Sequence, residues 1–211
     1  MAARPRPALS ISSRSDPMMK PVRVSAPSSD PVSLAEFKAA ARVDFVDDDE
    51  ILQSYLAAAV GHLDGRTGIL GRAIINQDWR IDLPCWPACQ IVLPFGDVSA
   101  VAVAYTDADG ADQTLPSSHY ELVEIATGSL VRYRQAFTSP ALDTDRSDAV
   151  RVTFTAGFGA NATDVPAPIK VAIMQLAAHW YENREAAEEK GVQSVPMSVD
   201  RLITPYRRVF F

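Results

Sequence analysis

Hydrophobic positions repeat with a helical period at both ends of the chain and with a period of two between them. The run Leu34-Ala35-Glu36-Phe37-Lys38-Ala39-Ala40-Ala41 predicts a first helix, with Ser33 as its cap and Glu36 three residues on, the spacing of a capping box. Pro31 marks the boundary before it. A second helix is predicted from about Asp48 to Arg66: Ile51, Tyr55 and Ala59 fall on one stripe, and Leu52, Leu56, Val60 and Leu63 fall beside it. The acidic run Asp47-Asp48-Asp49-Glu50 stands where negative charge suits the helix dipole. A calcium loop would need spaced ligands and a turning glycine, so the run is expected to cap the helix. Gly65, Gly68 and Gly71 end that helix. The helical period returns after Pro166, with Ile169, Ile173, Leu176, Ala177 and Trp180 on one stripe; Pro166 and Pro168 suit a first turn. A short helix near Val199 to Thr204 leads into the terminal run Pro205-Tyr206-Arg207-Arg208-Val209-Phe210-Phe211.

Between these segments, Trp79, Ile81 and Leu83 alternate with Arg80 and Asp82, and Val150, Val152 and Phe154 alternate with Arg151, Thr153 and Thr155. Val101, Val103 and Tyr105 alternate with small residues. Such alternation predicts half-buried strands. Asp107-Ala108-Asp109-Gly110 is a turn signal between two of them, and Tyr120, Leu122, Leu130, Val131 and Tyr133 suggest further short strands.

The expected fold class is therefore α+β: a helical ring-forming core, made of an N-terminal helix pair and a long C-terminal helix, with a small antiparallel β region inserted in it. The expected organisation is a flexible, mildly basic N-terminal arm over 1–30 and a domain over 31–205. Within that domain, helices cover 31–72, the β region 73–157 and helices 163–205; a tail follows over 206–211. A length of 211 residues allows one domain with a sizeable core. The arm has no apolar central run, so no signal peptide is expected, and no stretch is long enough to span a bilayer. These features predict a soluble, intracellular protein.

The formal net charge is -6. A protein that grips DNA through its phosphates usually carries a basic excess, which this chain lacks. Cys85 and Cys89 are expected to be reduced structural thiols, because a zinc site would need two further ligands. There is no phosphate loop, no nucleophile elbow and no histidine pair at metal-ligand spacing. No catalytic residue, metal site or cofactor is predicted, and the chain is not expected to be an enzyme. The terminal run differs: Arg and aromatic residues are the types that anchor protein interfaces, and Phe210 and Phe211 follow Arg207 and Arg208. These two Phe either fold back onto the parent core or dock on a neighbouring protein.

Five segments in order carry a resemblance to a known family. They are Pro31-Val32-Ser33-Leu34-Ala35-Glu36-Phe37-Lys38 with Arg42-Val43-Asp44 and Asp47-Asp48; Leu93-Pro94 with Val98, Val101, Tyr105 and Asp109-Gly110; Val150 to Gly159 with Val165-Pro166 and Ile169-Lys170; His179 to Glu185; and Leu202 to Arg207. Over about residues 31–207 the chain resembles the head–tail connector, or adaptor, of long-tailed phages and gene transfer agents. The arm and the Phe210-Phe211 end fall outside the pattern.

The resemblance implies a ring, commonly of twelve copies, between a portal protein and a tail-side stopper or terminator, with the helices as its wall. It implies a place at the head–tail junction of a virion or gene transfer agent particle, after assembly in the bacterial cytoplasm. DNA would pass through the channel without specific binding, and an acidic lumen would let it slide. Portal docking is expected of Tyr206, Arg207, Arg208, Phe210 and Phe211, and ring contacts of Trp180, Tyr181 and Arg184. The rival readings are a DNA-packaging accessory, a small hydrolase, and a tail-completion (neck) protein.

Overall fold

Ser33 starts the helical part of the molecule. In the computed structural model, which describes residues 20–125, 128–183 and 196–208, its hydroxyl accepts the backbone N–H of Glu36 at 3.2 Å. The Glu36 carboxylate in turn accepts the Ser33 N–H at 2.9 Å. This reciprocal cap fixes the start of α1 (Leu34–Ala41), and Arg42 ends it in the left-handed region at φ 56°. Helix α2 (Asp49–Leu63) buries Leu52, Leu56, Ala59 and Leu63, a single stripe at helical spacing. Helix α3 (Ala167–Glu182), with a proline in its first turn, buries Ile169, Ala172, Ile173, Leu176 and Ala177. The short α4 (Met197–Ile203) adds Val199 and Ile203. These residues form one interior with Val32, Phe37, Leu70, Ile74 and Ile75.

The strands fill a second interior. The larger sheet runs in the order β1 (Val22–Ser25), β2 (Gln77–Leu83), β8 (Val150–Ala156), β4 (Val98–Thr106), β5 (Asp112–Thr114), and every neighbouring pair is antiparallel. The smaller sheet is β3 (Gln90–Val92), β7 (Gly128–Tyr133), β6 (Tyr120–Ile125). Strand β8 is central and strictly alternating: Val150, Val152, Phe154 and Ala156 are buried, and Phe154 sits opposite Trp79 on one side and Val101 on the other. With Ile81, Leu83, Phe95, Val103 and Val131 they make the sheet interior. The turn between β4 and β5 lies where Asp107 to Gly110 predicts it. Asp107 accepts the N–H groups of Asp109 and Ala111, and Gly110 takes φ 80°. The side chain of Gln113 and these amides hold the Asp107 carboxyl below the usual carboxylate range.

The expected helical core with a long C-terminal helix and a small inserted β region is not what forms. The described residues make four short helices and eight strands in two antiparallel sheets, with about as many residues in strands as in helices. The α+β mixture holds, but the weight assigned to the helices does not. The physical reason is that the strands pack on one another instead of serving as a cover for the helices. They close their own interior, which shares no buried residue with the helical one. The two interiors meet at consecutive residues, since Ala73 belongs to the sheets and Ile74 and Ile75 to the helices. In addition, Val22 to Ser25, inside the stretch expected as an arm, are an edge strand on β2.

The exit from β8 is fixed by Gly157 at φ 151°. A Cβ there would lie 2.5 Å from the backbone nitrogen of Asn76, so only glycine lets the chain pass this close. The chain then turns through an Asn161–Asp164 capping box into α3. The strand-to-helix junction is thus pinned to the segment that joins α2 to β2.

Candidate functional site

The candidate surfaces lie at the C-terminal segment, at the two ends of the α2–α3 pair, and on the loops beside them. Among the described residues no group of three or more His, Cys, Asp or Glu is placed to hold a metal ion, and no helix is long and apolar enough to cross a membrane. Cys85 and Cys89 are free and exposed on the loop between β2 and β3. Between them Trp86 turns in, its ring edge-on to Tyr105 and Phe137, and its indole N–H donates to the Pro140 carbonyl at 3.0 Å. The pair flanks an aromatic anchor of the sheet interior.

The C-terminal segment folds onto the boundary between the two interiors. Tyr206 meets the edge of Phe158, over which the Arg72 guanidinium lies at 5.6 Å. Arg207 is exposed, and one of its guanidinium nitrogens is 3.5 Å from an Asp200 carboxylate oxygen. Arg208 turns inward: its N–H donates to the Leu70 carbonyl at 2.9 Å. Its guanidinium fills a slot left by two glycines. A Cβ on Gly96 would lie 1.9 Å from one terminal nitrogen, and a Cβ on Gly128 2.7 Å from the other. Burial weakens that guanidinium's hold on its proton, the nearby charge of Arg72 adds to the effect, and Glu124 and Asp97 oppose it. Arg72 is itself paired with Asp97 at 2.8 Å. Of the expected docking set, the structure therefore brings Tyr206 and Arg208 onto the body and presents Arg207 outward. Phe210 and Phe211 lie outside the described residues.

The expected ring residues divide in the same way. Trp180 packs edge-on against His62, with ring centroids 5.6 Å apart. Tyr181 packs edge-on against Tyr55, and its hydroxyl donates to Asp48 at 2.5 Å. Both are half-buried and join the last turn of α3 to α2. Arg184 lies outside the described residues. The acidic run stands at the start of α2, but Asp48 makes no side-chain cap hydrogen bond there; it takes the Tyr181 hydroxyl instead, and Asp49 pairs with Lys38 at 2.5 Å.

Sequence reasoning missed two surfaces. One is the loop between α1 and α2, where Phe45 and Val46 are exposed. The other is a cavity of about 380 Å³ beside the end of α2, lined by Lys20, Arg23, Arg66 and Trp79 among others. The first was visible as two apolar residues inside the acidic stretch Asp44 to Asp47. The second brings together residues far apart in the chain and left no local signal.

Comparison with known proteins shows what this chain resembles. The family model of the phage gp6-like head-tail connector protein matches residues 131–207, from β7 through α4. The resemblance to head–tail connectors is thus shown. Solved structures then match nearly the whole chain. A chain of the "Neck of empty GTA particle computed with C6 symmetry" is 28% identical with a TM-score of 0.73, over 92% of this chain and 97% of that one. A chain of the "Virion of native gene transfer agent (GTA) particle" is also 28% identical, with a TM-score of 0.72 and the same coverage. A chain of the "Neck of native GTA particle computed with C12 symmetry" is 27% identical with a TM-score of 0.69, again over 92% and 97%. No curated protein matches the chain.

Proposed function

We propose that this chain is a structural adaptor at the head–tail junction of a phage-like particle, forming a ring around the DNA exit channel. The observation that carries this reading is the agreement along almost the entire chain with proteins of gene transfer agent necks. The C6 and C12 symmetries of those necks support a ring made of many copies. The fold suits such a role, because two closed interiors give a stiff body with surfaces left for neighbours. The protein works by assembly and does no chemistry.

In the finer reading, the portal protein lies on one side of the ring and a stopper or tail terminator on the other. The end of the chain, Tyr206 to Phe211, docks on the portal. Because Arg208 occupies the glycine slot, docking by the whole end requires it to leave Gly96 and Gly128, whereas Arg207 is already presented. DNA passes a lumen with more Asp and Glu than Lys and Arg, in keeping with a net charge of -6.

The test is to image particles made without this protein. Filled or leaking heads that lack tails are expected; complete tailed particles overturn the reading. Deleting residues 206–211 should leave a folded protein that no longer joins the portal, and unchanged portal binding would reject the docking assignment alone.

A further inference from the structure

We infer that neighbouring copies of this chain join through the loop between α1 and α2 of one copy, seated in the cationic cavity beside the far end of α2 in the next. The inference rests on the ring reading and supplies its contact.

The loop is built to be received. Val43 packs against the helical interior, while Phe45 and Val46 are 47% and 70% exposed, with exposed Asp44 and Asp47 on either side. Two adjacent apolar side chains held in water are a cost that an interface would remove. The loop is also shaped in advance. Arg42 bends the chain at φ 56°. The Lys38 ammonium donates to the Phe45 carbonyl at 2.6 Å, and the Asp49 N–H donates to the Val46 carbonyl at 3.2 Å. Little conformational freedom is left to lose on docking.

The cavity has the complementary character. Its volume of about 380 Å³ is in the range of sites that enclose small ligands. Lys20 and Arg23 give it positive charge and Trp79 an apolar wall. Asp64 also lines it, but that carboxylate accepts the Ile74 N–H at 2.7 Å and the Gln77 amide at 3.1 Å, so it is committed to the fold. Phe45 and Val46 match the wall, and Asp44 and Asp47 match the cations.

The geometry excludes self-docking. Loop and cavity sit at opposite ends of α2, whose 15 residues span about 22 Å. A loop that fills the cavity must therefore come from another copy. Two different patches that meet between copies make a heterologous contact, the kind that closes into rings.

Cross-linking in assembled particles tests the contact. In a chain whose Cys85 and Cys89 are replaced by Ser, Val46→Cys and Thr67→Cys are introduced together. Oxidation should then give a ladder of covalent oligomers extending past the dimer. Normal tailed particles with no ladder overturn the proposal, and so does a ladder that stops at the dimer. Should that variant not assemble, charge reversal decides. Asp44→Lys with Asp47→Lys, and Lys20→Glu with Arg23→Glu, should each abolish tailed particles when present alone. Produced together, they should restore them by alternating around the ring. Assembly by either alone, or failure of the mixture, overturns the contact. A wild-type chain missing from tailed particles would instead reject the adaptor reading itself.

Discussion

The ammonium of Lys170, in the first turns of α3, reaches Glu36 of α1 at 2.9 Å across 134 positions of sequence. The same carboxylate closes the capping box on Ser33. One side chain thus starts a helix and ties it to another.

That double use gives a pH dependence. The Ser33 backbone N–H first, and the Lys170 ammonium next, lower the Glu36 pKa from 4.5 to about 2. A depressed carboxylate stabilises the fold above its unfolded pKa and loses that contribution as pH falls through the folded one. Stability should therefore drop between pH 4.5 and about 2 in part through this group. Acid unfolding of Glu36→Gln, followed by circular dichroism, should show a shallower fall over that window. A profile parallel to the parent's would show that the bond carries no linkage.

Two glycines should answer differently to the same substitution. Gly157→Ala places a methyl group against backbone at φ 151°, where nothing flexible can yield, and should cost about 3 kcal/mol in denaturant unfolding. For Gly96→Ala the nearest atoms all belong to the end of the Arg208 side chain. Its cost should be below about 1 kcal/mol. It should instead free the C-terminal segment, so that trypsin cuts at Arg207 and Arg208 faster. Equal losses of stability for the two variants would contradict the slot.

The two interiors should respond separately to damage. Leu176→Ala in the helical interior should cost about 3 kcal/mol, since the residue is fully buried. Val152→Ala in the sheet interior should cost about 2 kcal/mol. The double variant should lose the sum to within about 0.5 kcal/mol. A coupling larger than that would mean the two sides share packing strain.

Both cysteines should be accessible without unfolding. Cys85 and Cys89 are exposed and free, so a chromogenic disulfide reagent should titrate both in native buffer. Release that waits for denaturant would place them elsewhere.

The helices were legible because their signals are local. Ser33 with Glu36, the stripe from Leu52 to Leu63, and the stripe from Ile169 to Ala177 each lie within a few turns of chain. The Asp107 to Gly110 turn was legible for the same reason. The balance between helix and sheet was not, because strand pairing is settled by distant partners. Val22 to Ser25 are four residues set among prolines and serines, and they become a strand only where β2 offers an edge. Gln90 to Val92 are three residues and pair with the distant β7. At the candidate surfaces, the aromatic and basic character of the chain end was plain from the sequence. The slot that holds Arg208 was not, since Gly96 and Gly128 come together only in space.

Ala73 and Ile74 face different interiors although they are neighbours in the chain. Over generations, the helices and the sheets are therefore free to drift apart in composition, each compensating its own substitutions. Only the few positions along this seam must suit both sides at once. A change there is felt in two places, and homologues should vary least where the chain crosses from one filling to the other.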